Sequence, residues 1–213
     1  MNLVELINDL NFNILFPLFI GFKLLLETYL KQRNIQSMEK NKETIPERFI
    51  GVVTEEEYKK SINYNTERIR FSMFTATISV GVLLLFTTGG LLNFLTKIVQ
   101  DITQSNVLGI ILLGLFIVLI DEIIGIPLAI YSTFTLEEKY GFNKTTAKTF
   151  VQDLIKNLII SVVFASTLYA VVISIIERLG DNWWIYAFVA VFLFQAIVFY
   201  LYPVLILPLF NKL

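Results

Sequence analysis

The sequence predicts an all-α, polytopic membrane protein of about five transmembrane helices, on three observations. Of its 213 residues, 55% are hydrophobic and only 16% charged, with a mean hydropathy of +0.69, too apolar for an ordinary soluble domain. The apolar residues gather in stretches long enough to cross a bilayer. Lysine and arginine alternate between rich and poor connectors.

The first span is Phe12 to Leu30, FNILFPLFIGFKLLLETYL, about the 20 residues that cross a hydrocarbon core of roughly 30 Å. It lacks a preceding basic region and a small-residue cleavage site, and it is too long for a signal peptide, so it is expected to stay in the mature protein. Lys31 to Arg70 is rich in Lys, Arg, Glu and Asn and reads as a solvated cytosolic loop with at most short surface helices. Four further spans follow at 71–95, 107–131, 158–176 and 183–207.

No Lys or Arg precedes the first span, nine lie in Lys31 to Arg70, one (Lys97) in the next connector, four in Lys139 to Lys156, then Arg178 and Lys212. The positive-inside rule then expects an N-terminus outside or lumenal and a C-terminus in the cytosol, the parity five spans require. Trp183, Trp184 and Tyr186 sit where a lumenal aromatic belt would anchor the start of the fifth helix.

Composition also excludes functions. Cysteine and histidine are absent, which removes disulfides, thiolate nucleophiles, imidazole bases and zinc sites built on His or Cys. The chain alone therefore cannot be a zinc- or histidine-dependent enzyme. A carboxylate-only magnesium or calcium site stays open, but no residue pattern points to one. The net charge of −1 carries no signal for nucleic acid.

An ionisable residue inside a membrane span is costly and is a functional candidate by default. Asp121 and Glu122, in LFIVLIDEIIGIPLAIY, are the clearest. Successive helix positions point about 100° apart, so the two cannot form one compact ligand pair. Either they line a polar cavity, or they pair with buried polar groups on another helix or lie nearer the membrane surface. Lys23 and Glu27 are four apart and suit a structural pair, and Gln195 suits a hydrogen bond across helices. Pro127, Pro203 and Pro208 each remove a backbone donor and are expected to bend or end their helices.

The third span runs into IPLAIYSTFTLEEKYGFNK, Ile126 to Lys144. Leu136 to Tyr140, with Glu137 and Glu138, can continue the helix beyond the bilayer; Gly141 suits a left-handed cap, and Asn143 suits the turn after Phe142. This segment closely resembles one in the integral-membrane zinc CAAX prenyl proteases, the type I or sterile-mutant class of the endoplasmic reticulum. YPVLILPLFNK, from Tyr202 through Pro203, Pro208 and Asn211 to Lys212, is similar to the same family, as are ETYLKQR and NYNTERIRFSMF. The resemblance covers nearly the whole chain. A second membrane CAAX protease class uses Glu-Glu-x-x-x-Arg, but Glu55-Glu56 is followed by Lys60 and Glu137-Glu138 by Phe142.

The resemblance implies the amino-terminal membrane portion of a zinc metalloendopeptidase, five helices of a seven-helix shell around a chamber for prenylated CAAX sequences. Asp121 and Glu122 become chamber-lining candidates. The zinc-binding H-E-x-x-H helix of that family lies beyond Leu213, so zinc and the catalytic segment are expected in the complete protein, supplied in cis or in trans. The end at Leu213, inside the family's FNK segment, makes a truncated or split chain the expectation. Membrane lipid and prenylated CAAX proteins are the implied partners. The implied location is the endoplasmic reticulum membrane in a eukaryote or the cytoplasmic membrane in a prokaryote. A non-catalytic scaffold derived from the same fold is the alternative reading, and a small transporter or channel a weaker one, since no inverted repeat is visible.

Overall fold

A chain this apolar must satisfy its backbone internally, and helices do so within each segment. The computed structural model describes the backbone of residues 3–210, and side chains from Phe12 to Leu209 apart from those of Arg48 and Asn106. Helices follow one another from α1 (Leu3–Lys40) to α2 (Glu55–Thr87), α3 (Leu91–Ile102) and α4 (Asn106–Tyr131). A π-helical turn, Ser132–Glu137, extends α4. Then come α5 (Ala147–Leu179), a 3₁₀ turn (Gly180–Asn182), α6 (Trp183–Leu201), a second π turn (Tyr202–Ile206) and the short α7 (Leu207–Phe210). No β-strand occurs among the described residues, only an isolated bridge between Ile50 and Val53.

The polar stretch 31–70, expected as a loop, is helical at both ends: α1 runs on to Lys40 and α2 starts at Glu55. The residues of ETYLKQRNIQSMEK are mostly good helix formers, so the first helix outlasts its apolar span. Thr54 starts α2 with a capping box, its Oγ1 accepting from the Glu57 amide at 3.2 Å while Glu57 Oε2 accepts from the Thr54 amide at 2.9 Å. Glu55, Glu56 and Glu57 place negative charge at the positive end of the helix dipole.

The span expected at 71–95 is also interrupted. α2 ends at Thr87, Gly90 takes φ of 78°, and Leu91 to Leu95 belong to the separate α3. Hydropathy does not register such a turn, because its residues are small rather than charged. Residues 147–209 form a helical run of 63 residues, roughly 95 Å if straight and far beyond one crossing. Gly180, at φ 53°, breaks it into two helices that pack together, with Phe164 edge-on to Phe194 at 5.8 Å. Five apolar helices therefore stand in order, α1, α2, α4, α5 and α6.

Apolar side chains along these helices stay on the surface of the chain, Phe19 at 68% exposed and Phe199 at 83%. Such faces require lipid or further protein around them.

Two compact units divide the chain. One holds α1, α2 and Ile124–Asn143. In it α1 and α2 pack together through the ion pair Arg70–Glu39 (3.0 Å), Lys59 of α2 pairs with Glu43 in the connector after α1 (2.5 Å), and Ile35 and Thr66 are buried. The other unit holds Leu95–Ile123, α5, α6 and the second π turn. There Gly114 lies so close to Tyr169 that an added Cβ would sit 3.0 Å from the ring, the kind of small-residue contact membrane helices use.

Candidate functional site

The first unit carries a cleft lined by both charged and apolar residues. The segment from Pro127 to Asn143 lies against α2, whose polar amino-terminal half meets it with charge and whose apolar half meets it with aromatic rings. Pro127 lies inside α4 without ending it, and the backbone then widens into the π turn. Proline cannot donate to the preceding turn, so the bond to the Ile123 carbonyl is missing while the helix continues to Tyr131.

Beyond the π turn the helix closes on a Schellman cap. Gly141 has φ of 74°, its amide donates to the Glu138 carbonyl at 3.0 Å, and the Phe142 amide donates to the Glu137 carbonyl at 2.9 Å. The cap throws Phe142 onto Tyr64, ring centroids 4.6 Å apart, with Lys60 Nζ above the Phe142 ring at 6.0 Å. Asn143 Nδ2 donates to Glu138 Oε2 at 2.9 Å and holds the turn from the other side.

Inside the cap, Tyr140 is buried edge-on to Tyr64 at 5.5 Å. Lys139 pairs with Glu67 at 2.5 Å. Glu67 lies four residues before the apolar run of α2 and outside the span; its bond from Lys139 holds its carboxyl below the usual range. The same bond raises Lys139, and burial, more than the bond to Glu67, raises the Tyr140 phenol.

These contacts bound a cleft of about 670 Å³ lined by Glu67, Arg70, Phe71, Phe74, Pro127, Leu128, Tyr131, Leu136 and Lys139. Phe71 lies 4.9 Å from Tyr131, and Leu136 is buried at the wall. Charged groups line one end and apolar groups the other.

Asp121 is exposed and Glu122 half-buried, and neither belongs to this cleft. Lys144 is exposed beyond the cap. In the second unit Pro203 lies within the π turn and lines a cleft of about 480 Å³ with Phe194, Gln195 and Tyr202. Pro208 lies in α7. The α-helical form of α6 ends at Leu201, and Pro203 enters the π turn that follows it. Asn211 falls outside the described residues. Lys156 Nζ donates to the Leu209 carbonyl of α7 at 2.8 Å. On the first span, Lys23 and Glu27 do pair, at 3.4 Å.

Sequence reasoning passed over Glu67, Arg70, Phe71 and Lys139. Their signal was present in two separated segments, TERIRF and LEEKYGF, which carry complementary charges and aromatic residues.

The described residues hold no group of three or more His, Cys, Asp or Glu able to bind a metal. Residues 34–212 match a family model described as CAAX prenyl protease N-terminal, five membrane helices. The chain is 28% identical over 206 residues to the CAAX prenyl protease 1 homolog of Arabidopsis thaliana, covering 91% of this chain and 47% of that protein. It is 29% identical to the Homo sapiens homolog, with 87% and 40% covered. The crystal structure of S. mikatae Ste24p superposes with a TM-score of 0.83 at 25% identity, covering 94% of this chain and 48% of that one. The chain thus spans less than half the length of each of these relatives.

Proposed function

Given that the chain belongs to the CAAX prenyl protease N-terminal family, we propose that it is the membrane portion of a zinc metalloendopeptidase and helps form the chamber that receives prenylated CAAX sequences. The family match over residues 34–212 carries this reading, and the run of apolar helices supports it.

Zinc does not fit the residues of this chain. With no His or Cys in 213 residues, the nitrogen and sulfur ligands of a zinc site are missing. The metal and the residues that activate water belong to a catalytic segment joined in cis or recruited in trans. This chain's own contribution is to bind and orient: its helices exclude bulk water around the substrate, and Asp121 and Glu122 line the polar part of the chamber. In this reading the Lys- and Arg-rich connectors face the cytosol, and the membrane is the endoplasmic reticulum or, in a prokaryote, the cytoplasmic membrane.

The test is an assay of the intact protein in its native membrane with a farnesylated CAAX peptide. Release of the carboxy-terminal tripeptide should require the farnesyl group, stop on chelation and return with zinc. Cleavage indifferent to the prenyl group, or none from the intact protein, would contradict the proposal; the latter would favour a non-catalytic scaffold.

A further inference from the structure

The connector between α1 and α2 carries an apolar run, Phe49-Ile50-Gly51-Val52-Val53, inside a polar stretch. Phe49, Ile50 and Val52 are 50%, 66% and 75% exposed. The backbone holds them out. The Phe49 amide donates to the Pro46 carbonyl at 2.8 Å, and the Val52 and Val53 amides both donate to the Phe49 carbonyl, at 3.0 and 3.2 Å. Gly51, at φ 79°, supplies the left-handed residue of the turn. At the base of the tip, Lys59 pairs with Glu43 and the Thr54–Glu57 capping box starts α2. The tip is preformed, so little ordering entropy opposes its docking.

Height decides what kind of partner can cover it. The tip stands at the start of α2, and Glu55 to Arg70, the polar half of that helix, rises roughly 22 Å along its axis. The headgroup layer is only about 5–8 Å deep on each side of the hydrocarbon. Even a helix tilted by about 40° keeps the tip roughly 17 Å beyond Arg70. Lipid covers the apolar faces of the spans but does not reach this tip. Three neighbouring apolar side chains bare in water require a protein surface over them.

We infer that Phe49, Ile50 and Val52 are the docking point of the catalytic segment on the membrane portion, seated in an apolar socket of that segment. The inference rests on the function proposed above. The relatives are covered to only 47%, 40% and 48% of their length, so more than half of each of those proteins lies outside the matched region. On the sidedness proposed above, this connector faces the cytosol, the side on which the fifth span ends and a segment joined in cis would start. Because α1 and α2 both run from the tip into the membrane, docking there ties the catalytic segment to two spans at once.

The experiment places a photo-crosslinker on the tip of the intact protein, Val52→p-benzoyl-phenylalanine, in its native membrane, and maps the cross-linked peptides by mass spectrometry. Release of the tripeptide from the farnesylated peptide is followed in the same membranes. Cross-links should fall on protein outside these 213 residues, within the segment that carries the zinc ligands. Adding Ile50→Asp should lower their yield about tenfold, the effect of an interface residue worth about 1.4 kcal/mol, and Ile50→Leu should keep it. If Ile50→Asp does not accumulate, the capture in the protein altered only at Val52 decides. Cleavage accompanied by cross-links to phospholipid, to a second copy of residues 1–213 or to an unrelated protein, or by no cross-link, overturns the docking and leaves the chamber reading standing. Absence of cleavage by the unaltered protein overturns that reading, and this inference falls with it.

Discussion

The two π turns invite comparison. Ser132–Glu137 follows Pro127 by five residues, whereas Tyr202–Ile206 contains Pro203 and is followed by Pro208. Each has a tyrosine at its start, Tyr131 just before the first and Tyr202 within the second. Beyond the first lie an ion pair, a buried tyrosine, a glycine cap and a ring contact. Beyond the second, one lysine reaches a terminal carbonyl from α5. Among the described residues, dense polar contacts beside a charged helix end follow the first widened turn, and a long cation from α5 reaches the segment after the second.

Tyr140→Ala removes a buried ring and should cost about 3 kcal/mol or more, lowering the detergent unfolding temperature and freeing the cap from α2. Gly141→Val forces a β-branched residue into left-handed backbone and should cost about 1–2 kcal/mol; the same measurement should rank it below Tyr140→Ala. Lys156→Met tests the second turn. It loses the bond to Leu209 and the pair with Asp153 (3.1 Å). Because Lys156 is partly exposed, about 1 kcal/mol is expected, with hydrogen exchange rising at residues 202–209 and unchanged at 132–143.

The smallest effect is that of pH on Glu67 and Lys139, both substantially solvent-accessible. Glu67 is depressed, so its contribution is present above the ordinary value of 4.5 and is lost as pH falls through the lower folded value. Lys139 is raised, so its contribution is present below 10.5 and is lost as pH rises through the higher folded value. Protection of the Gly141 cap, exchange divided by the intrinsic rate at each pH, should therefore be highest between these limits and fall toward both extremes. A flat profile would show that the cap stands without the ion pair.

Much of this was legible in the sequence, for local reasons. Gly141 is readable because a glycine after LEEKY is where a helix needs positive φ, and Lys23–Glu27 because four residues make one helical neighbour. The spans are readable because hydrocarbon thickness sets their length. What was hidden depended on distant or non-apolar information. Residues 31–40 and 55–70 remain helical through propensity and capping rather than hydrophobicity, although Thr54-x-x-Glu57 announces the second of these starts. Glu67 and Lys139 lie 72 residues apart, and no periodicity within either segment names its partner. Proline's missing donor was legible, but the choice between ending a helix and widening it rests on tertiary contacts.

Receipt of prenylated substrate by this membrane portion, as proposed, can be measured by photoaffinity labelling of the intact protein with a CAAX peptide bearing a benzophenone-modified farnesyl group. Label is expected within this chain, including α4 near Asp121 and Glu122, competed away by prenylated but not by unprenylated peptide. Label confined to residues outside this chain, or indifferent to the prenylated competitor, would contradict it.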